Sequence, residues 1–312
     1  MKASLIIPIY QAEKYIEPLF SSLEKQTCLP EKILVIDSSS TDRTIEKIKA
    51  FEEHSLRLKG KIEVKIIPKS EFNHGGTRHL GTQLAPADLY IFMTQDAILA
   101  DSHSLETLMN CYQNPAIGCA YGRQLPHQNA SRLARHARHF NYPEGSLTKS
   151  YEDRSVLGVK TYFNSDSFSS YRHAAYQDAE GFPNHTILAE DGYLAAKMLM
   201  KGWKIQYCAE ATVFHSHNYS PWEEFKRYFD IGVFYASEPW LLERFASPQK
   251  EGWRYIISEW KMCLREKAWL ALIASAINIG AKLIGYKLGR HFKKFPRKLC
   301  KKLSMHKGFW GQ

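Results

Sequence analysis

Residues 3–9 read ASLIIPI, a short apolar run rich in β-branched side chains, and they precede a polar stretch with helical spacing at 13–26. This order of strand and helix recurs along the N-terminal third of the chain. The further predicted strands are 32–37 (KILVID), 64–67 and 89–93 (LYIFM), and the predicted helices are 39–51 and 77–84. Continuous apolar strands that alternate with helices predict a mostly parallel sheet covered by helices on both faces. The N-terminal sequence therefore indicates an α/β fold.

The composition is that of an ordinary globular protein. Its 312 residues are 44% hydrophobic and 24% charged, which excludes wholesale disorder, collagen and coiled coil. Of the 42 Lys and Arg residues, ten lie between 282 and 312, where the sequence has no Asp or Glu. The formal net charge of +10 therefore resides in that segment. A balanced body with a basic end is expected to meet an anionic partner, either phospholipid or nucleic acid.

The cysteines and the apolar segments indicate where in the cell the protein is expected to work. Six cysteines occur without a C-x-x-C pair, which argues against a zinc site or a disulfide framework and fits a reducing cytoplasm. The apolar run at 5–9 is too short for the core of a signal peptide. The charge-free segment 268–281 would be about 21 Å long as a helix, against a hydrocarbon core of about 30 Å. Apolar residues and lysines interleave beyond it, so we expect residues 265–312 to lie on an anionic membrane surface.

Polar side chains follow the predicted strands where each one ends. Ligands of such sheets bind beyond the carboxyl ends of the strands, so Tyr10, Asp37, residues 72–78 and residues 94–96 are expected to line one rim. Asp37 is placed to accept hydrogen bonds from a base or ribose, although an acid there could equally cap the following helix. The sequence HGGTR at 74–78 could bring backbone amides and an arginine to a diphosphate, although Gly-Gly before a helix is also common in simple turns.

Acids and histidines farther along the chain suggest metal and acid–base chemistry. Asp96 follows a buried strand, and a carboxylate there can hold a divalent cation. His215 and His217 are two residues apart on a predicted strand, which would place both on one face, although such a pair is more often merely polar. Asp191 lies near the start of a predicted helix and is the candidate general base, although Glu190 and Asp191 could instead complement the helix dipole.

A basic, polar region separates these groups. Residues 124–160 contain Pro143 and Gly145, which predicts a partly mobile loop region. A basic cluster lies in this region and consists of Arg132, Arg135, His136, Arg138 and His139. If the loop lies over the rim, this cluster could hold a diphosphate-bearing acceptor, or it could simply be a solvated face.

The order of the motifs resembles that of family 2 glycosyltransferases of the nucleotide-sugar-binding (GT-A) fold. The shared motifs are SLIIPIY at 4–10, VIDSSSTD at 35–42, the glycine pair with Arg78, the acid after the fourth strand, and EDG at 190–192. More narrowly, the chain is similar to bacterial rhamnosyltransferases of that family. This similarity lies in FNHGGTR at 72–78, MTQDA at 93–97, FNYP at 140–143 and HSHNYS at 215–220, and the whole resemblance covers about residues 3–220.

The resemblance implies an α/β GT-A domain at 1–240, with a donor half at about 1–100 and an acceptor half at about 101–240, and a helical, basic, amphipathic, membrane-associating region at 241–312. It implies Asp191 as the catalytic base. It also implies a divalent cation, Mg²⁺ or Mn²⁺, held by Asp96, His215 and His217, where Thr94-Gln95-Asp96 replaces the usual D-x-D. The donor sugar would contact Ser165, Asp166 and Glu190, and the nucleotide would contact Pro8, Tyr10, Asp37, Ser39, Gly75, Gly76, Arg78 and Gln95. Ser165-Asp166 stands where the family more often has Ser-Asn.

The activity that the resemblance implies is inverting transfer of L-rhamnose from dTDP-L-rhamnose to a lipid-linked oligosaccharide in O-antigen or capsule assembly. The expected location is cytoplasmic and peripheral on the inner face of the cell membrane, with no nucleic acid as partner. Three alternatives remain open. The protein could be a family 2 transferase with another donor such as a UDP-hexose, a nucleic-acid-binding protein that uses the basic C-terminus, or an inactive relative that acts in assembly. The presence of both Asp96 and Asp191 argues against the last.

Overall fold

A nine-stranded mixed sheet organises the chain in the computed structural model, which describes residues 1–245 and 249–311. Its strands are β1 (Ala3–Ile9), β2 (Lys32–Asp37), β3 (Ile62–Ile66), β4 (Leu89–Met93), β5 (Ile98–Leu99), β6 (Ile117–Leu125), β7 (Leu147–Lys149), β8 (Phe168–Arg172) and β9 (Lys204–Phe214). The α-helices in the same two ranges are α1 (Glu13–Glu24), α2 (Thr44–His54), α3 (His74–Leu84), α4 (Ser104–Asn110), α5 (Arg132–Asn141), α6 (Arg154–Leu157), α7 (His173–Asp178), α8 (Glu190–Met200), α9 (Pro221–Ser237), α10 (Pro239–Phe245), α11 (Gln249–Arg265), α12 (Trp269–Arg290) and α13 (Arg297–Leu303).

The four N-terminal strands pair in parallel, as the sequence predicts, and the structure orders them β3-β2-β1-β4. Side chains of β1 alternate between two apolar cores, so that Leu5 and Ile7 enter one core and Ile6 enters the other. Burial on both faces is what continuous apolar strands require. Beyond β4 the sheet continues as β8-β6-β9-β5, with β7 beside β9. Since β8 runs antiparallel to both β4 and β6, the sheet is parallel only in part.

Helix α3 begins at His74, earlier than the sequence predicts, so Gly75 and Gly76 lie in its first turn. Asn73 caps the helix, because its Oδ1 accepts a hydrogen bond from the Gly76 amide at 2.6 Å. A Cβ atom on Gly75 would lie 1.8 Å from the carbonyl oxygen of Pro183, so a side chain there would push away the loop that leads to α8. The close approach of Pro183 therefore requires glycine at 75, and the capping side chain of Asn73 leaves little room for a Cβ atom at 76.

Residues 124–160 contain regular elements rather than the predicted loop. Helix α5 carries the basic cluster, and Ser131 caps it by accepting a hydrogen bond from the Ala134 amide at 3.2 Å. Pro143 and Gly145 lie after this helix, where the chain turns toward β7. The prediction was wrong because Pro143 and Gly145 follow the helix rather than interrupt it. Leu133, Ala137 and Phe140 recur at helical spacing among the basic side chains, and the helix docks against β6, α11 and α12.

The C-terminal helices pack onto the sheet domain through a close crossing of α9 and α12. Glycines line this crossing on both helices. A Cβ atom would lie 2.4 Å from the nearest carbonyl oxygen at Gly232, 2.3 Å at Gly285 and 2.0 Å at Gly289. Trp310, after α13, is 8% exposed and belongs to the same apolar core as β4 and β8. The region after residue 240 therefore shares a core with the region before it.

Candidate active site

The predicted site residues meet at one edge of the sheet. Strands β1, β2, β4, β6 and β9 end at this edge, and β8 begins there because it runs antiparallel to β4. Asp37 is the last residue of β2, Asp96 follows β4, and His215 follows β9. Asp166 precedes β8, and its amide donates a hydrogen bond to Asp191 Oδ2 at 3.1 Å. The fold thus brings acids from distant parts of the sequence to one rim.

Asp96, His215 and His217 form a compact group at this rim, although the two histidines follow β9 and do not lie on a strand as predicted. Nε2 of His215 is 3.5 Å from Oδ1 of Asp96, and Nε2 of His217 is 3.6 Å from Oδ2. One ligand atom from each residue lies within 4.8 Å of the other two. Burial would raise the pKa of Asp96, but the facing His215 and His217 hold it well below its usual range. Burial lowers the pKa of His217 to about 4. A charged carboxylate and a neutral imidazole are the forms that ligate metal ions.

Gln124, which no sequence pattern singled out, contacts His215 at Nδ1, the ring nitrogen that does not face Asp96. Its Oε1 accepts hydrogen bonds from His215 Nδ1 at 2.9 Å and from the Arg138 guanidinium, and its Nε2 donates to Ser165 Oγ at 2.8 Å. Because arginine can only donate, the amide oxygen must face Arg138, so His215 carries its hydrogen on Nδ1. Nε2 is then the ring nitrogen that faces Asp96 and could ligate a cation, as in metal-binding histidines whose other nitrogen is hydrogen-bonded. Gln124 lies near the end of β6, so the strand-end rule could have found it.

Gln95 joins the ends of β1 and β4. Its Oε1 accepts from the Tyr10 amide at 2.7 Å, and its Nε2 donates to the Tyr10 carbonyl at 3.2 Å. This geometry gives Gln95 a positioning role, and its contact with a nucleotide stays a prediction. The Tyr10 ring is partly exposed, with Lys69 Nζ 4.1 Å from the ring centroid and 2.6 Å from the hydroxyl oxygen. Pro8 lies inside β1, where it pairs with Ile36.

Asp37 shapes a turn at the rim and is only 1% exposed. Its carboxylate accepts hydrogen bonds from the Ser40 amide at 2.9 Å and from the Ser40 hydroxyl. The next helix, α2, begins only at Thr44, so Asp37 is not its cap. Ser39 has a left-handed backbone with a φ of 59°, and its hydroxyl donates to the Ile67 carbonyl at 2.8 Å. The nucleoside contacts of Asp37 and Ser39 stay predictions.

Arg78 lies in a buried cluster of acids. Its Nε is 3.0 Å from Asp166 Oδ2, and its Nη1 is 2.9 Å from Glu190 Oε1. The three residues are 2% to 5% exposed. Burial raises the pKa of Asp166 to about 6 although Arg78 acts against that rise. Because acids of this chain engage the guanidinium, the geometry favours a positioning role for Arg78, and its contact with a diphosphate stays a prediction.

Asp191 is partly exposed beside this cluster, at the start of α8. Its Oδ1 accepts a hydrogen bond from the Gly192 amide at 2.6 Å. Burial and the neighbouring charges of Asp166 and Glu190 raise its pKa. Ala189, just before the helix, has a left-handed φ of 61°, a conformation that is costly for alanine and concentrates at functional sites. An accessible carboxylate with a raised pKa suits a general base, and the same position also complements the helix dipole.

The partly parallel sheet with helices, and the acids collected at its rim, match the architecture of the GT-A fold. The chain belongs to glycosyl transferase family 2, whose family model matches residues 4–179. Two curated relatives span almost the whole chain. The O-antigen chain rhamnosyltransferase RfbN of Salmonella typhimurium strain LT2 is 44% identical over 99% of this chain and 96% of its own length. The O-antigen chain rhamnosyltransferase WbaN of Salmonella anatum is 42% identical over 98% and 95%.

Solved structures of similar fold include two other glycosyltransferases. Residues 1–349 of TarS from S. aureus, in complex with UDP-GlcNAc, match with a TM-score of 0.57 at 18% identity, covering 94% of this chain and 92% of that one. The mannosyltransferase PcManGT from Pyrobaculum calidifontis, in complex with GDP-Man and Mn²⁺, matches with a TM-score of 0.59 at 16% identity, covering 99% and 84%. At these identities the likeness concerns the fold alone.

Proposed function

We propose that the protein transfers L-rhamnose from dTDP-L-rhamnose to an O-antigen chain that is assembled on a lipid carrier. The observation that carries this proposal is the 44% and 42% identity, over almost the full length, to two O-antigen chain rhamnosyltransferases. Three of the four motifs that suggested this sugar lie at the rim. FNHGGTR contains the start of α3, and MTQDA leads from the end of β4 to Asp96. The third is HSHNYS, which directly follows β9.

Asp191 is the base of the proposed reaction. It takes the proton of an acceptor hydroxyl while that oxygen bonds to the anomeric carbon of the donor sugar. The bond from that carbon to the diphosphate oxygen breaks, and dTDP leaves with the electron pair. Because attack and departure occur on opposite faces of the sugar, the anomeric configuration inverts. The raised pKa of Asp191 makes it a stronger base than a solvated aspartate, and Arg78 holds its neighbours Asp166 and Glu190 in place.

A divalent cation fits the group formed by Asp96, His215 and His217. One carboxylate and two imidazoles make a mixed oxygen and nitrogen donor set, which suits Mn²⁺ better than Mg²⁺ because Mg²⁺ prefers oxygen ligands. The hydrogen bond from His215 to Gln124 provides the outer support that such ligands usually have. A cation bound there neutralises charge on the diphosphate of the donor.

Titration calorimetry and nucleotide release test this proposal with three donors, dTDP-L-rhamnose, UDP-glucose and GDP-mannose, each with and without Mn²⁺. We expect dTDP-L-rhamnose to bind and to be turned over, with tighter binding in the presence of Mn²⁺. Preference for UDP-glucose would show that the proposed donor is wrong although the enzyme class stands. Equal affinity with and without the cation would refute the metal site.

We also propose that the protein is cytoplasmic and lies on the anionic inner face of the cell membrane through exposed apolar residues of α11 and α12. Trp253 on α11 and Trp269, Leu270 and Ile273 on α12 are 59% to 84% exposed. Within the described ranges α12 is the helix that is long and apolar enough, by length and composition, to cross a membrane. Its packing against α9 supports attachment at the surface instead. The basic residues of 282–312 add attraction to anionic lipid.

Flotation with vesicles that contain anionic lipid tests the membrane proposal. The double variant Leu270→Glu with Ile273→Glu should bind vesicles more weakly by about 3 kcal/mol or more, roughly a hundredfold in affinity. The reason is that Leu270 and Ile273 of the unmodified protein leave water when the protein binds, and the charged replacements do not. Leu56→Glu is the matched control, since Leu56 is 96% exposed in the connection between α2 and β3. The control should float like the unmodified protein. Unchanged flotation of the double variant would contradict the proposal.

A further inference from the structure

The C-terminal segment reaches the acid cluster through a pair of histidines. Nε2 of His74 lies 3.0 Å from Nδ1 of His306, although 232 positions separate them in the sequence. The two rings meet edge to face with their centroids 4.6 Å apart, and both are partly buried. No motif in the sequence pointed to His306, and the chemistry described above does not use it.

Asp230 on α9 anchors the backbone that carries His306. Its Oδ2 accepts hydrogen bonds from the amides of Met305 at 2.8 Å and His306 at 3.1 Å. Four residues later, the Trp310 ring packs against the ring of Phe229, with centroids 6.4 Å apart. Contacts with α9 therefore fix the segment that carries His306, directly at its own backbone and again at Trp310.

His74 is joined to the acid cluster on its other side. Its carbonyl oxygen accepts a hydrogen bond from Arg78 Nη1 at 3.0 Å, and its Nδ1 is 4.0 Å from Glu190 Oε1. Burial, together with the charge of Arg78, lowers the pKa of His74 to about 3. Burial, with His74 alongside, also lowers the pKa of His306 to about 3. Both rings are therefore neutral at physiological pH, and two neutral imidazoles share one hydrogen bond, with one donor and one acceptor.

We propose that His306 is a positioning residue for glycosyl transfer. It holds His74 against Arg78 and Glu190, and so it keeps the acid cluster beside Asp191 in one arrangement. The effect reaches the base through an ion pair and a hydrogen bond, because Arg78 pairs with Asp166 and the amide of Asp166 donates to Asp191. The inference rests on the proposed role of Asp191. The C-terminal segment is then part of the active site and serves the chemistry as well as attachment.

Kinetics of four variants test this inference. His306→Ala should lower kcat roughly three- to tenfold, the effect of one neutral hydrogen bond, and should leave the KM for the donor within about twofold. His306→Asn should restore most of the activity, because its side-chain amide can occupy the place of Nδ1. His74→Ala should match His306→Ala, and the double variant should be no worse than either, because the pair acts as a unit. His291→Ala, an exposed histidine in the same region, is the matched control and should behave as the unmodified protein.

Three results would overturn the inference: an unchanged kcat in His306→Ala, additive losses in the double variant, or no recovery in His306→Asn. A second measurement needs no substrate. In spectra of protein labelled with ¹⁵N-histidine, the ring nitrogens of His74 should shift in His306→Ala and remain in place in His291→Ala. Absence of turnover with any donor would refute the proposed function, whereas unshifted His74 signals would refute the positioning role, so the two failures are distinguishable.

Discussion

A single methyl group at position 289 should destabilise the whole protein, whereas the same change at position 280 on the same helix should not. A Cβ atom on Gly289 would lie 2.0 Å from the Phe229 carbonyl oxygen and 3.0 Å from the Gly232 Cα. These are backbone atoms of α9, so rotation of a side chain cannot relieve the clash. A Cβ atom on Gly280 would have nothing within 4 Å.

The magnitude follows from the distances. Non-bonded carbon and oxygen atoms rest at about 3.5 Å, so α9 and α12 must separate by about 1 Å or more to admit the methyl group. Overpacking of this kind costs about 1 to 3 kcal/mol. Gly280→Ala instead stabilises the protein by about 0.4 to 1 kcal/mol, because alanine restricts the unfolded chain and favours the helix. The two variants should differ by about 1.4 to 4 kcal/mol in the free energy of unfolding.

Urea unfolding followed by circular dichroism measures this difference, and thermal unfolding should show a Tm lower by about 2 to 4 °C for each kcal/mol lost. The decisive observation is whether the sheet domain and the C-terminal helices lose stability together. If Gly289→Ala unfolds like Gly280→Ala, the close crossing is not a packing constraint. If only a helical fraction melts early in Gly289→Ala, residues 241–312 form a separate unit rather than a shared core.

Three further outcomes are expected. Asp191→Asn, which keeps shape and removes the base, should lower transfer about a hundredfold or more with donor affinity within about twofold, and retained turnover would disprove its role. Gln124→Met should weaken Mn²⁺ binding about tenfold or more in a calorimetric titration because His215 loses its support, and unaltered affinity would exclude that role. Burial raises the pKa of Asp230 from 3.8 to about 6, so its share of stability is complete below about pH 4 and is lost as pH rises through about 6. Asp230→Asn keeps the accepting oxygen but does not titrate. As pH rises through about 6, its free energy of unfolding in urea should therefore fall by about 2 to 3 kcal/mol less than that of the unmodified protein. An equal fall in both proteins would contradict the assignment.

The predicted strands 32–37 and 89–93 coincide with β2 and β4, because a strand that is buried on both faces needs a short uninterrupted apolar run. Helix α5 was missed for the opposite reason. Its apolar stripe is only three residues, Leu133, Ala137 and Phe140, set among basic side chains, and its stability comes also from the Ser131 cap and from docking on α11 and α12. The start of α3 was misplaced because two glycines resemble a turn until the approach of Pro183 is seen.

The sequence by itself determined the class of fold, the family, and the rim at which Asp37 and Asp96 would lie, since strand ends are set by local patterns. Only the tertiary structure decided which polar groups become partners. It paired Arg78 with two acids and His306 with a residue 232 positions earlier. Such choices depend on the packing of distant elements, because a side chain bonds with whatever the completed fold places within about 3 Å of it.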